Sequence, residues 1–318
     1  VTLRKSYYEG GDVTIYVHVE PIKTYAVPNV KSGSVEYPLG FVFKIWYYTD
    51  TKNITDANFT VIEEWNGTGV DRATMVAPNN VSGYNNTIII WFDSADNSYV
   101  IYVNTSRLID LIANSYPTFD LPTTVDYSVY LIKEHHESYG VDKSPLKLSL
   151  SIKEISTKLT LSEKSATLRY GGAWVFYMNY TDIDGTKSLF DAETEYNITL
   201  NGTLIETGII PYNMTNGWAE FYLVFNSTEI LNKTLEIMDV RLPVIYEIRV
   251  WFGKRFYEKQ SAVLSVTVNP METALDVSAT SVSIEYGESW LFNFSYIDVV
   301  AGELIVGATT YYEIRYND

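Results

Sequence analysis

Ala166-Thr-Leu-Arg-Tyr170-Gly171-Gly-Ala-Trp174-Val-Phe-Tyr-Met-Asn-Tyr180-Thr-Asp182 is matched without a gap by Val282-Ser-Ile-Glu-Tyr286-Gly287-Glu-Ser-Trp290-Leu-Phe-Asn-Phe-Ser-Tyr296-Ile-Asp298. The match runs on into Asp191-Ala192-Glu-Thr-Glu-Tyr196 against Gly307-Ala308-Thr-Thr-Tyr-Tyr312. A weaker copy stands at Val35-Glu-Tyr37-Pro-Leu-Gly-Phe41-Val-Phe-Lys-Ile-Trp-Tyr47. The copies are 133 residues (Tyr37 to Tyr170) and 116 residues (Tyr170 to Tyr286) apart. Such a period is too long for a helical solenoid and suits one β-sandwich per repeat. The chain reads as a tandem array.

Within each copy the residues alternate. Trp174, Phe176, Met178 and Tyr180 share one side of an extended strand, and Trp290, Phe292, Phe294 and Tyr296 do the same. Both sets are expected inside, with Phe41 as the smaller counterpart of the two tryptophans. Further alternating runs follow, among them Asn58-Phe-Thr-Val-Ile, Thr87-Ile-Ile-Ile-Trp-Phe, Tyr127-Ser-Val-Tyr-Leu-Ile and Val244-Ile-Tyr-Glu-Ile-Arg-Val-Trp. Asn104 and Asn226 each head a short stretch with apolar spacing of three to four, which predicts one or two helical turns in one connection of each repeat. The fold class is therefore all-β, antiparallel sandwiches in series. Whole repeats are expected at 22–153 and 154–270. Residues 1–21 read as the last strand of a preceding, incomplete domain, because Val13–Val19 resembles the closing strands Leu146–Leu150 and Val263–Val268. Residues 271–318 read as the first strands of a further, incomplete one, at Val282–Ile284, Trp290–Tyr296 and Thr309–Tyr316.

Composition narrows the function. With 318 residues, 46% hydrophobic and 15% aromatic, the chain can bury substantial cores. The 27 tyrosines suit strand positions with an apolar body and a polar tip. A net charge of −16 argues against nucleic acid and against an anionic membrane surface as partners. No run of 18 apolar residues is present, so no membrane-inserted helix is expected. The first residues, Val1-Thr-Leu-Arg-Lys, lack a signal-peptide pattern, and a mature or excised chain is the natural expectation. Cysteine is absent, so disulfides say nothing of compartment.

Sequons do. Thirteen of the 21 asparagines head an Asn-X-Ser/Thr triplet: Asn53, Asn58, Asn66, Asn80, Asn85, Asn104, Asn179, Asn197, Asn201, Asn213, Asn226, Asn232 and Asn293. Chance at this Ser/Thr content gives about three or four. Asn and Thr are also ordinary turn and strand residues, so orientation has to separate the readings. Strand phase puts Asn58 opposite Phe59 and Val61, Asn179 opposite Met178 and Tyr180, Asn197 opposite Tyr196 and Ile198, and Asn293 opposite Phe292 and Phe294. Each points where a glycan has room. N-linked glycans, and hence an extracellular, cell-surface location, are the expectation.

The pattern Tyr-Gly-x-x-Trp, an alternating strand ending in Tyr-x-Asp, and an Ala-x-x-x-Tyr strand resembles the immunoglobulin-like repeats of prokaryotic surface proteins. The residues that carry it are Tyr170-Gly171, Tyr180-Thr-Asp182-Ile-Asp-Gly185 and Asp191–Tyr196. With its dense sequons and absent cysteine, the chain looks most like an archaeal surface-layer or other cell-surface glycoprotein. That resemblance implies display and assembly with copies of itself or with other surface proteins, and supplies no catalytic residue.

Candidate chemistry is thin. Asp182 and Asp184, followed by Gly185, have the spacing of a calcium loop, although no acidic residue completes it. Asp93, Asp96 and Asp142 are further loop carboxylates that could share a calcium ion. His18, His135 and His136 are the only histidines; Glu134-His-His-Glu137 invites a zinc reading, but adjacent strand residues face opposite ways, and a solvated loop is the simpler expectation. Trp46, Trp65 and Trp218 could form a carbohydrate platform, or cover a sheet. No nucleophile elbow, phosphate loop or cysteine nucleophile occurs, so no enzyme is expected and no cofactor beyond glycans, with calcium as the open candidate. The leading expectation is a structural component of a surface layer, sheath or filament. Two alternatives stand beside it: an adhesin or glycan-binding stalk, and a pilus-like subunit assembled by strand donation.

Overall fold

A computed structural model describes residues 2–3, 11–12, 14–76, 80–83, 86–183, 185–215 and 218–315. The chain divides into two compact units, Val1–Ser156 with Arg255–Glu258, and Thr157–Lys254 with Lys259–Asp318.

In the first unit, β1 (Thr2–Leu3) and β2 (Gly11–Asp12) form a small ladder of their own. The sandwich follows: β3 (Tyr25–Pro28), β4 (Ser32–Glu36), β5 (Phe41–Tyr48), β6 (Asn58–Trp65), β7 (Thr68–Val76), β8 (Asn80–Gly83), β9 (Ile88–Asp93), β10 (Ser98–Val103), helix α1 (Thr105–Ser115), β11 (Thr123–Ile132) and β12 (Leu146–Lys153). One sheet has the order β3-β5-β10-β9 and the other β4-β12-β11-β6-β7-β8. All pairings are antiparallel except β4 with β12. The first strand of the sandwich is thus split: β3 belongs to one sheet, and β4 crosses to close the other.

The second unit repeats the plan. Its elements are β13 (Thr157–Leu161), β14 (Ser165–Arg169), β15 (Ala173–Asp182), β16 (Glu193–Leu200), β17 (Thr203–Gly208), β18 (Tyr212–Thr215), β19 (Trp218–Asn226), α2 (Ser227–Ile237), β20 (Val244–Lys254) and β21 (Tyr257–Asn269). The sheets run β13-β15-β19-β18 and β14-β21-β20-β16-β17, with β14 parallel to β21. Four strands in the order A-B-E-D face a sheet built on G-F-C with added C-side strands. Both sandwiches are immunoglobulin-like.

The alternation of the sequence becomes the core. Phe43, Ile45 and Tyr47 on β5, Phe59 and Val61 on β6, Ile101 on β10 and Leu148, Leu150 and Ile152 on β12 are buried in one cluster. In the second unit Phe176, Met178 and Tyr180 are fully buried, and Tyr180 and Phe225 meet Phe252 and Tyr246 across the sandwich at 5.6 and 5.5 Å between ring centres. Each buried side chain of this size contributes about 1.5–3 kcal/mol relative to exposure. The repeated Tyr-Gly junction is a turn: Gly171 and Gly287 have φ of +89° and +95°, which a side chain rarely tolerates. The helices are longer than the sequence suggests, 11 residues each, because Leu108, Ile109 and Ile112 on α1 and Ile230 and Leu231 on α2 bury a full apolar face.

Three expectations are corrected. Trp174 shares its side with Phe176 but is 36% exposed, and Phe41 is only half-buried, because both stand at the rim where the strand leaves the sandwich. Trp290 is half-buried, and Phe292, Phe294 and Tyr296 are 53%, 54% and 37% exposed. Their stretch contributes only β23 (Phe294–Asp298), paired with β22 (Thr273–Val277) in a two-stranded sheet that, among the described residues, no second sheet covers. Val282–Ile284 and residues 309–315 form no strand, and Tyr316 lies outside the described residues. Residues 14–20, expected as a closing strand, are exposed and form no strand; Val13 lies outside the described residues.

Candidate functional site

The sequons occupy the surface. Asn53, Asn58, Asn66, Asn201, Asn213, Asn226, Asn232 and Asn293 are exposed, and Asn104, Asn179 and Asn197 are half-buried. Asn80 begins β8, and Asn85 lies outside the described residues. Two pairs have a local structural reason to be asparagine. Asn66-Gly67 and Asn201-Gly202 turn the hairpins β6–β7 and β16–β17 with φ of +49°, +75°, +51° and +80°, the signature of the type I′ turn. Asn104 and Asn226 cap the helices: the Asn104 Oδ1 accepts the Arg107 N–H, and the Asn226 Oδ1 accepts those of Thr228 and Glu229. In both caps the side-chain oxygen does the capping. No such turn or cap accounts for Asn53, Asn58, Asn179, Asn197, Asn213, Asn232 or Asn293.

The calcium candidates are otherwise engaged. The Asp182 carboxylate is folded into its own loop, accepting from the Thr186 N–H at 2.7 Å, the Thr186 hydroxyl at 2.8 Å and the Lys187 N–H at 3.0 Å. Desolvation works to raise its pKa, but these hydrogen bonds outweigh it and hold the carboxyl below its ordinary value. Asp184 lies outside the described residues. Asp93 and Asp96 come together, but around the Lys44 ammonium, at 3.3 and 2.6 Å. Asp96 is held below the usual carboxylate range by Lys44 first and by the Ser98 hydroxyl second. Asp142 accepts the Ser138 N–H at 2.7 Å. The histidines do not converge either. His18 and His135 are exposed, and the His136 Nδ1 lies 2.8 Å from the Glu134 carbonyl. Among the described residues no group of three or more His, Cys, Asp or Glu side chains is placed to hold a metal.

The tryptophans form no common platform. Trp46 lies on β5 and Trp65 on β6, in opposite sheets. The Trp46 indole N–H donates to the Asp96 carbonyl and the Trp65 indole N–H to the Thr123 hydroxyl. Trp65 also packs on Tyr116 and Phe119, at 4.9 and 5.4 Å between ring centres, beside a cleft of about 240 Å³ bordered by Thr68, Leu111 and Ile112. Trp218 belongs to β19 of the second unit.

One polar cluster was not foreseen. In register across the second sheet of the first unit, Glu63 on β6 stands opposite Tyr127 on β11 and Asp71 on β7. Glu63, Tyr127 and Thr87 are 0% exposed, and Asp71 is 6% exposed. The Thr87 Oγ1 lies 2.8 Å from the Glu63 Oε2 and 2.7 Å from the Asp71 Oδ2. Backbone N–H groups of Thr87 and Arg72 add 3.3 and 2.7 Å bonds to Asp71. Burial first, with the Asp71 charge adding to it, pushes the Glu63 carboxyl up to about 7 against the pull of the Thr87 and Tyr127 hydroxyls. Burial likewise holds the Tyr127 hydroxyl well above its ordinary value. The signal was available in the sequence: the phase that turns Phe59 and Val61 inward also turns Glu63 inward.

No family model matches the chain, and no curated protein matches it. Among solved structures, a marsupial T cell receptor is similar over 82% of this chain and 78% of its own, at 10% identity and a TM-score of 0.39. Another chain described as a marsupial T cell receptor is similar over 79% of this chain and 98% of its own, at 10% identity and a TM-score of 0.30. Among the described residues no helix is long and apolar enough to cross a membrane.

Proposed function

We propose that this chain belongs to an extracellular, N-glycosylated structural protein that assembles at a cell surface through its immunoglobulin-like units, in contact with copies of itself or other surface proteins. The observation that carries the reading is the placement of the sequons. Thirteen occur where about three or four are expected by composition, and none of the eleven with described exposure is buried. A polar β-protein without glycans has no need to keep the third-position hydroxyl beside so many surface asparagines. The tandem plan fits a load-bearing or lattice-forming role, in which rigid sandwiches set a repeat distance and sugars keep the remaining surface hydrated. The net charge of −16 fits a surface facing solvent and cations, with no role toward nucleic acid. A surface-layer or filament protein of a prokaryote, archaeal in particular, is the finer form of this reading.

Two measurements test it. Glycopeptide mass spectrometry of native material is expected to find sugar on Asn58, Asn179, Asn197 and Asn293; four bare asparagines would remove the basis for the extracellular assignment. Electron microscopy of the cell surface is expected to show the protein in an ordered lattice or fibre, and isolated scattered molecules would instead favour a stalk or adhesin.

A further inference from the structure

We propose that the buried row Tyr127–Glu63–Asp71, with Thr87 set between its two carboxyls, is a proton-holding switch that ties β6, β7 and the start of β9 together in acid and loosens them as the proton leaves. The Thr87 hydroxyl has one proton and lies within 2.8 Å of a carboxyl oxygen on each side. It can donate to one of them. The other contact is a hydrogen bond only if that carboxyl is itself protonated and donates to the Thr87 oxygen. Two carboxylates in this position would leave a bare oxygen–oxygen contact in a core where unpaired charge is strongly unfavourable.

The surroundings decide which group holds the proton. From β7 the group facing Glu63 is Asp71, from β11 it is Tyr127, and from the chain leading into β9 it is Thr87. Among the described residues no lysine, arginine or histidine pairs with Glu63, and its Oε1 makes no hydrogen bond of normal geometry, nor does the Tyr127 hydroxyl beside it. Asp71, by contrast, already receives two backbone N–H bonds as well as the Thr87 hydroxyl. Glu63 is therefore the carboxyl that carries the proton and donates it to the Thr87 oxygen. The Glu63 carboxyl, raised to about 7 from an ordinary 4.5, keeps its proton in the folded chain across a range where the unfolded chain has lost it. Folding then binds a proton, and stability falls as pH rises from about 4.5 to 7 and levels off above. The device sits at the register shift between Glu63 and Glu64, where the β6–β7 ladder is already irregular.

The test uses the full chain with carbon-13 in its glutamate side-chain carboxyls. One glutamate is expected to titrate with a midpoint above pH 6; the signal should vanish in Glu63→Gln and move to lower pH in Asp71→Asn. Hydrogen exchange, corrected for intrinsic rates, is expected to show protection of β6–β7 peptides falling about tenfold between pH 6 and 8, with β16–β17 peptides as the internal reference. If Glu63→Gln does not fold, the wild-type titration still decides. A chain in which every glutamate titrates below pH 5.5, or in which β6–β7 protection does not change with pH, overturns the proposal. So does a high midpoint that calcium chloride depresses below 5 and chelator restores, because the row would then hold a cation in place of a proton.

Discussion

The two sandwiches share a strand order but differ at one row of their inner faces. Glu63 and Ile198 each stand three residues before an Asn-Gly turn and each precede a shift of register, between Glu63 and Glu64 in one unit and between Ile198 and Thr199 in the other. In the first unit the row across the sheet is Tyr127–Glu63–Asp71; in the second it is Ile248–Ile198–Glu206. Two of the three polar groups are replaced by isoleucine, and the remaining carboxylate is given a cation. Lys233 reaches down from α2 to within 2.7 Å of Glu206, and the Tyr196 hydroxyl donates to it at 2.7 Å. Glu206 raises the Lys233 ammonium above its ordinary value, with Glu229 adding to it. Burial first, and then Glu206, pushes the Tyr196 hydroxyl up to about 12. The same position of the same fold can thus be satisfied by hydrocarbon with an ion pair at the edge, or by a proton shared among oxygens. Only the second solution makes stability depend on neutral pH.

Transplanting the difference should have the largest effect. Ile198→Glu places a carboxyl between Ile248 and Glu206 without the threonine that Glu63 has, and the second unit should lose about 3–5 kcal/mol at pH 8, with less lost at pH 5. Calorimetry on the full chain would show the transition of that unit moving down alone. The size of an ordinary core defect sets the scale. Phe176→Ala should cost about 3–5 kcal/mol in the same unit, whereas Trp174→Ala, at the half-open rim, should cost about half as much or less. Equal costs would show that the rim tryptophan is more deeply anchored than its exposure implies.

Removing the proton site should affect the first unit next. Between pH 4.5 and 8 the wild-type unit should lose about 3 kcal/mol, because a carboxyl raised to about 7 holds its proton longer in the folded than in the unfolded state. Glu63→Gln should flatten that slope in denaturation measured across the same range, and a slope unchanged by the substitution would assign it to other groups. Smaller still is the counter-experiment in the second unit. Lys233→Met leaves Glu206 without its cation at a site still partly open to water, and about 1 kcal/mol should be lost at neutral pH. Losing a helix cap, in Asn104→Ala or Asn226→Ala, should cost about 1 kcal/mol in either unit whether or not sugar is attached, because the capping atom is the side-chain oxygen.

What the sequence shows and what it hides follow from range. Alternation is local, so the strands of β5, β6, β15 and β16 and the inward set Phe176, Met178, Tyr180 can be read directly. The capping asparagines and the Asn-Gly turns are local too. Strand phase, however, says which side a residue takes and not where the sandwich ends, and so Trp174 was expected inside and stands at the rim. Glu63, Asp71, Thr87 and Tyr127 are spread over 65 positions; the ladder registers bring three of them together, and hydrogen bonds seat Thr87 among them. The loop carboxylates Asp93 and Asp96 looked like metal ligands because Lys44, about 50 residues earlier, could not be seen beside them.

The two hairpin tips at Asn66-Gly67 and Asn201-Gly202 also bear on how the protein ages. An asparagine followed by glycine is open to attack by the next backbone nitrogen on its own side-chain amide, since glycine has no side chain to hinder the approach; closing that ring expels ammonia, and water then opens it to aspartate or isoaspartate. The left-handed turn that suits Asn-Gly to the hairpin fixes this dipeptide at two exposed points of the molecule. A sugar on the side-chain nitrogen replaces the ready leaving group with a bulky one. If the proposed sugars stand at these tips, they double as preservation: a bare chain accumulates one extra negative charge per tip over time, and a sugared chain keeps its asparagines.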